Sequence, residues 1–89
     1  MVELTAFQWS LLQAASELVK PSGQTIKRHV DASPYHDEDM GHGRLYPNLE
    51  AIIEAGYVKK GEQDARTNYY EITDEGKDAL ETRAAYLSN

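Results

Sequence analysis

Residues 42–56 read HGRLYPNLEAIIEAG, and the spacing of their apolar side chains decides how the chain folds. Leu45, Leu49, Ile52 and Ile53 recur at i, i+4, i+7 and i+8. That is one stripe of a 3.6-residue period, so the segment predicts a helix with one buried face. Gly56 stands where the helix should stop, because glycine enters the left-handed conformation of a helix end without steric cost. Pro47 falls inside the apolar pattern. Its missing N–H is harmless in a first turn, where amides have no partner within the helix, so the helix is expected to begin near Gly43 or Arg44. His42, Gly43, Arg44, Tyr46, Pro47 and Asn48 then lie off the buried stripe at the amino end. A cation, an amide and an aromatic at the positive pole of a helix suit an anionic partner.

Upstream, residues 5–19 predict a first helix. Thr5 followed by Gln8 makes a capping-box start, and Phe7, Leu11, Ala15 and Leu18 form its stripe. Pro21 ends it, since the residue before a proline avoids the helical region. Trp9 lies roughly opposite the stripe. It reads either as a subunit contact or as a ring folded onto the domain's own tail. Residues 23–32 predict a short second helix with Ile26 and Val30 facing inward and Lys27 and Arg28 off that pair. A polar connection, PYHDEDMG at residues 34–41, leads into the central helix. Two helices so joined, the second offering polar residues at its amino end, fit a helix-turn-helix.

Downstream, residues 57–60 and 67–72 read as two strands around the turn GEQDAR. Tyr70 is expected inside and Tyr69 on the surface. A hairpin directly after the central helix is a wing. Thr73 then caps a last helix with acids in its first turn and a stripe of Leu80, Ala84 and Leu87, with Ala79 and Tyr86 beside it. The fold class is therefore α+β, mainly α: a winged helix-turn-helix with a three-helix core, a two-stranded wing and a C-terminal helix, in a single domain spanning residues 1–89.

Composition narrows the chemistry. The formal net charge is −6 and there is no cysteine, which removes disulfides and thiolate zinc sites. No stretch approaches the ~20 apolar residues of a membrane span, and the first twenty residues lack a signal-peptide pattern. A cytoplasmic protein with no membrane partner is expected. Seven of the nine basic residues lie between Lys20 and Arg66, while residues 71–81 hold five acids against Lys77 alone. This reads as a weakly basic working face on an acidic body. His29, His36 and His42 match no compact ligand spacing, so no metal and no cofactor are expected. No nucleophile–base order, phosphate-cradling loop or carboxylate pair stands out, so an enzyme is not expected.

The run Gly43-Arg44-Leu45-Tyr46-Pro47-Asn48-Leu49, followed by Gly56-Tyr57-Val58, Gly61, Arg66, Tyr70, Ile72-Thr73 and Gly76, resembles the PadR-type winged helix-turn-helix transcription regulators. The likeness covers roughly residues 5–80. The blocks LTAFQ, HGRLYPNL and RTNYY are more similar to a haloarchaeal subgroup of phage-repressor-like and RosR-type regulators. The resemblance implies a homodimeric repressor that binds double-stranded DNA at a pseudo-palindromic operator; it also implies a halophilic surface that holds inorganic cations. The chain departs from larger members in lacking a long C-terminal dimerisation domain, so residues 74–88 and the first helix are assigned to dimerisation, with Trp9, Leu12, Tyr86 and Leu87 in or near the contact.

On this reading Arg44 contacts guanine or a phosphate, Asn48 pairs with adenine, Pro47 meets a thymine methyl, and Tyr46 places its hydroxyl on a phosphate. His42 and Gly43 complete the reading end. Lys27 and Arg28 brace the backbone, and Arg66, Thr67 and Asn68 in the wing reach flanking phosphates or the minor groove. Glu50 and Glu54 face outward and confine the contact to the first two turns. The competing place for Arg44 is an ion pair with Asp37 or Glu38. For Lys59 and Lys60 a solvated strand edge competes with function. The competing role for the whole chain is a winged helix that binds another protein and no DNA.

Overall fold

The computed structural model describes residues 3–32 and 42–87, apart from the side chains at 42 and 43. The connection at 34–41 with Asp37 and Glu38, and the side chains of His42 and Gly43, thus lie outside the described residues. Helix α1, Ala6–Glu17, starts at the expected capping box: the Gln8 amide donates to Thr5 Oγ1 (3.1 Å) and the Thr5 amide to Gln8 Oε1 (3.0 Å). It ends two residues earlier than the pattern suggests, as Leu18 is extended and Lys20 takes a φ of 44°. Ser22 then caps α2, Gly23–Asp31, by accepting the Thr25 amide.

Helix α3, His42–Glu54, closes on Gly56 at φ 84°. The Gly56 amide donates to the Ile53 carbonyl and the Tyr57 amide to that of Ile52, the paired bonds of a Schellman end. The chain is thereby aimed into strand β1, Val58–Glu62, which pairs antiparallel with β2, Asn68–Ile72, from Val58 opposite Ile72 to Glu62 opposite Asn68. At the tip, Asp64 accepts the Arg66 and Thr67 amides (2.8 and 2.9 Å). Those two bonds hold its carboxyl below the ordinary value of 3.8. The α1–α2 connection lies along the other edge of β2: Pro21 accepts the Tyr70 amide at 2.8 Å and Ser22 bridges to Tyr69. Helix α4, Asp74–Leu87, starts from Thr73, whose hydroxyl accepts the Gly76 amide.

The core gathers Leu11, Leu12, Ala14 and Ala15 of α1, Ile26 and Val30 of α2, Leu45, Leu49 and Ile52 of α3, with Leu4, Val58 and Tyr70. Two expectations change here. Leu12 is 0% exposed, so it supports the protomer and offers nothing to a partner. The single-stripe reading fails for α1 because this helix touches α2, α3, β2 and α4 at once and is apolar on two sides. The stripe of α4 fails in the opposite sense. Leu80 packs on the core, but Ala84 is exposed, as are Tyr86 (78%) and Leu87 (62%). The described residues extend 44 × 28 × 20 Å, and the last turns of α4 have outrun the core. Among the described residues no helix is long and apolar enough to cross a membrane.

Candidate nucleic-acid interface

The amino end of α3 is exposed while its opposite face is fully buried: Leu45, Leu49 and Ile52 are inaccessible, and Arg44, Tyr46 and Pro47 face outward. Pro47 does not fall in the first turn. Since α3 begins at His42, the proline is the sixth helical residue and leaves the carbonyl at position 43 without its helical donor. The turn is reinforced from the side. Asn48 Nδ2 donates to the Arg44 carbonyl at 2.7 Å, a side-chain bond reaching back one turn. Asn48 Oδ1 accepts from Gln8 Nε2 of α1 at 3.0 Å. The Arg44 guanidinium lies over the Phe7 ring, 5.3 Å from its centroid.

Tyr46 is 40% exposed and rests its ring on the start of α2, where a methyl group at Gly23 would come within 2.9 Å of it. Beneath lies Tyr70. Burial, then the neighbouring Tyr46 and Glu50, hold its hydroxyl above the ordinary value of 10.0.

Several expected cations are engaged within the protein. Lys27 bonds Asp31 at 2.9 Å along α2, with its side chain only 19% exposed. Lys59 meets Glu71 across the hairpin at 3.2 Å, and Lys60 meets Glu50 of α3 at 3.6 Å. Arg28 is exposed beside Thr25. At the wing tip Arg66 is exposed and Thr67 and Asn68 are half-buried. Tyr69, expected on the surface, lays its ring against Gly61 and under Lys20, whose Nζ is 5.3 Å from the ring centroid. The structure thus brings Arg44, Tyr46, Pro47 and Asn48 together on one end of α3, with the wing residues on a separate element. Gln8 and Phe7, read from the sequence only as a capping partner and a core residue, belong to this site. The one signal for Gln8 is its type: a capping box works with glutamate, whereas glutamine also carries a donor.

A second surface lies on the far side of α1. Trp9 packs partly against the core, and Arg83 of α4 stacks on its ring at 4.9 Å. The ring thus rests on its own last helix. Trp9, Tyr57, Ala79, Tyr86 and Leu87 border a groove of about 690 Å³.

The two first helices are also joined at their ends. His29 Nε2 lies 2.6 Å from Glu17 Oε1, and Gln13 donates to Glu17 Oε2 at 3.1 Å. These bonds, His29 first, hold the Glu17 carboxyl below its ordinary value of 4.5. A lowered carboxylate pKa stabilises the fold above the ordinary value, and the contribution is lost as pH falls through the lowered one. Glu17→Gln is therefore expected to cost about 0.2–1 kcal/mol at pH 7, both partners being partly exposed, and to cost less near pH 3. Urea denaturation at the two pH values checks this; an equal cost at both contradicts it.

Residues 11–82 match the model of the transcriptional regulator PadR-like family. No curated protein sequence matches the chain. Among solved structures, the chain is 42% identical to RosR in its complex structure with S1, over 94% of this chain and 72% of that one, at a TM-score of 0.85. It is 41% identical to RosR of Halobacterium salinarum grown from NaBr, over 96% and 74%, also at 0.85. F93 from STIV, a winged-helix DNA-binding protein, superposes at a TM-score of 0.75 with 14% identity, over 97% and 91%; there the likeness concerns the fold.

Proposed function

The chain belongs to the PadR-like family of transcriptional regulators, and we propose that it works as a homodimer that reads a pseudo-palindromic operator and represses the gene behind it. The observation that carries this reading is the amino end of α3, where exposed Arg44, Tyr46 and Pro47 stand directly above the buried Leu45 and Leu49. A helix end fixed so firmly on its inner side can enter a major groove without losing its own packing. Arg44 supplies the contact to guanine or phosphate and Tyr46 a phosphate contact. Arg28, with Lys27 shared between Asp31 and the backbone, flanks it on α2. Arg66, Thr67 and Asn68 form the wing contact, where the Asp64 turn holds the Arg66 and Thr67 amides in place. Outward Glu54, with Glu50 partly offset by Lys60, disfavours phosphate and tilts the carboxyl half of α3 away.

Arg44→Ala is expected to weaken binding to a duplex selected by the native protein by about 1–3 kcal/mol, read by mobility shift. Unchanged affinity rules Arg44 out as the reader.

For the dimer, the unburied end of α4 and the groove beside Trp9 support pairing of α1 and α4 across a two-fold axis, with Tyr86 and Leu87 as its apolar anchors and Trp9 at its edge. The two α3 helices then sit about 34 Å apart, one turn of DNA. The double variant Trp9→Ala/Leu87→Ala is expected to sediment as a monomer; an unchanged dimer excludes that face. The ion-paired lysines favour the competing reading, a winged helix that docks on another protein. A native protein that is monomeric and binds no duplex in high salt selects it.

A further inference from the structure

We propose that Gln8, acting through Asn48, is a positioning residue for the reading end of α3, and that Asn48 serves this end instead of pairing with a base; the inference rests on the DNA-binding reading above. The Gln8 side chain has two partners. Its Oε1 closes the capping box on the Thr5 amide, and its Nε2 reaches across forty positions of sequence to Asn48 Oδ1. Asn48 passes the restraint on through Nδ2 to the Arg44 carbonyl. The chain of bonds thus runs from the start of α1 to the backbone of the residue whose side chain does the reading.

The need for it follows from Pro47. This residue removes a rung of the helical ladder in the second turn of α3, directly beneath Arg44. A turn with one rung missing has fewer constraints on direction, and a bidentate contact to guanine tolerates little misdirection. The Asn48 bond replaces part of the lost restraint, and Gln8 fixes the Asn48 rotamer from outside the helix. Phe7, the residue before Gln8, supports the Arg44 guanidinium from the same side. With Nδ2 on the Arg44 carbonyl and Oδ1 on Gln8, one hydrogen and one lone pair of the Asn48 amide are committed inside the protein and its plane is fixed, which leaves it half its hydrogen-bonding capacity and no freedom to turn toward adenine while both bonds hold.

Gln8→Glu and Asn48→Ala test the clamp. Glutamate still accepts the Thr5 amide, so the capping box and α1 survive, while the donor toward Asn48 is gone. In the free proteins, both variants are expected to speed backbone hydrogen exchange at Tyr46, Asn48 and Leu49 about fivefold, leaving Ile52 and Ile53 unchanged. Base preference is then measured on the duplex that the native protein selects from a random-sequence pool, with every base pair of one half-site substituted in turn. Both variants are expected to lose preference at the base pair where Arg44→Ala loses it, and the double variant Gln8→Glu/Asn48→Ala to lose no more than Asn48→Ala alone. A loss by Asn48→Ala at a base pair of its own overturns the proposal and restores Asn48 as a reader. Unchanged exchange in Gln8→Glu overturns it as well. Should the native protein select no duplex, the DNA-binding reading falls, and the exchange rates alone decide whether the clamp exists.

Discussion

Leu45→Ala is expected to lower the stability of the fold by about 2–5 kcal/mol, the range for truncating a fully buried leucine. Leu45 is inaccessible and among the largest side chains wholly enclosed. It sits at the end of α3 that is clamped to α1 through Gln8 and Asn48, so neighbouring atoms cannot easily move in to fill the space, and the cost should fall in the upper part of the range. For a small domain whose total stability is about 5–15 kcal/mol, this is a large share. One residue earlier the expectation reverses. Arg44→Ala should change stability by no more than about 0.5 kcal/mol, since the side chain lies on the surface, while it abolishes most of the DNA affinity. Urea midpoints of the two variants measured side by side separate scaffold from reading surface. A cost below about 1 kcal/mol for Leu45→Ala would mean that the amino end of α3 is not seated as described.

Gly76→Ala should destabilise the protein by about 2 kcal/mol or more, although a helix-propensity argument gives the opposite sign. Gly76 lies in the first turn of α4, and alanine there gains up to about 1 kcal/mol of intrinsic preference. The methyl group has nowhere to go. It would stand 2.2 Å from the Tyr57 carbonyl oxygen and 2.7 Å from Ile72 Cγ1. The carbonyl cannot swing aside freely, because it accepts the Thr73 amide at 2.9 Å. Overpacking against backbone costs about 1–3 kcal/mol or more, and here it must also open the start of α4. A thermal midpoint lower by about 10 °C is the expected reading for a domain of this size. A higher midpoint would show that the junction gives way and that propensity decides.

How far the sequence carries depends on the distance over which each feature is determined. The stripe Leu45/Leu49/Ile52 and the stop at Gly56 are local, and both stand as read. So do the capping box at Thr5 and the hairpin with Tyr70 inside. Leu12 lies in the core instead of on a contact surface because a one-stripe pattern presumes one neighbour, and α1 has neighbours on two sides. Pro47 lies one turn later in its helix than the sequence suggests, because the rule that admits proline to a first turn says nothing of a side-chain bond, from Asn48, that shores up a second one. Leu87 looks like core by period alone; only the reach of the other elements shows that nothing among the described residues covers it. The Gln8–Asn48 bond joins residues forty apart, beyond any periodicity. The close approach at Gly76 was visible in the sequence only as part of the family pattern, without its cause.

Thr73 has a mechanical consequence. Its hydroxyl donates to the Gly56 carbonyl at 2.6 Å while accepting the Gly76 amide, and its own amide donates to Tyr57. One residue therefore bolts the end of α3 to the start of α4, and the hairpin that separates them in sequence adds no slack. In the proposed dimer this makes each protomer half of a fixed caliper: α4 is the arm that meets the partner, α3 the jaw, and the joint between them is locked. A caliper of that kind measures as well as grips. An operator whose half-sites are one base pair further apart still offers the second jaw a major groove, but its bases are displaced by about 3.4 Å and rotated by about a tenth of a turn from where the jaw reaches, so the locked joint makes the spacing of the half-sites part of what is read.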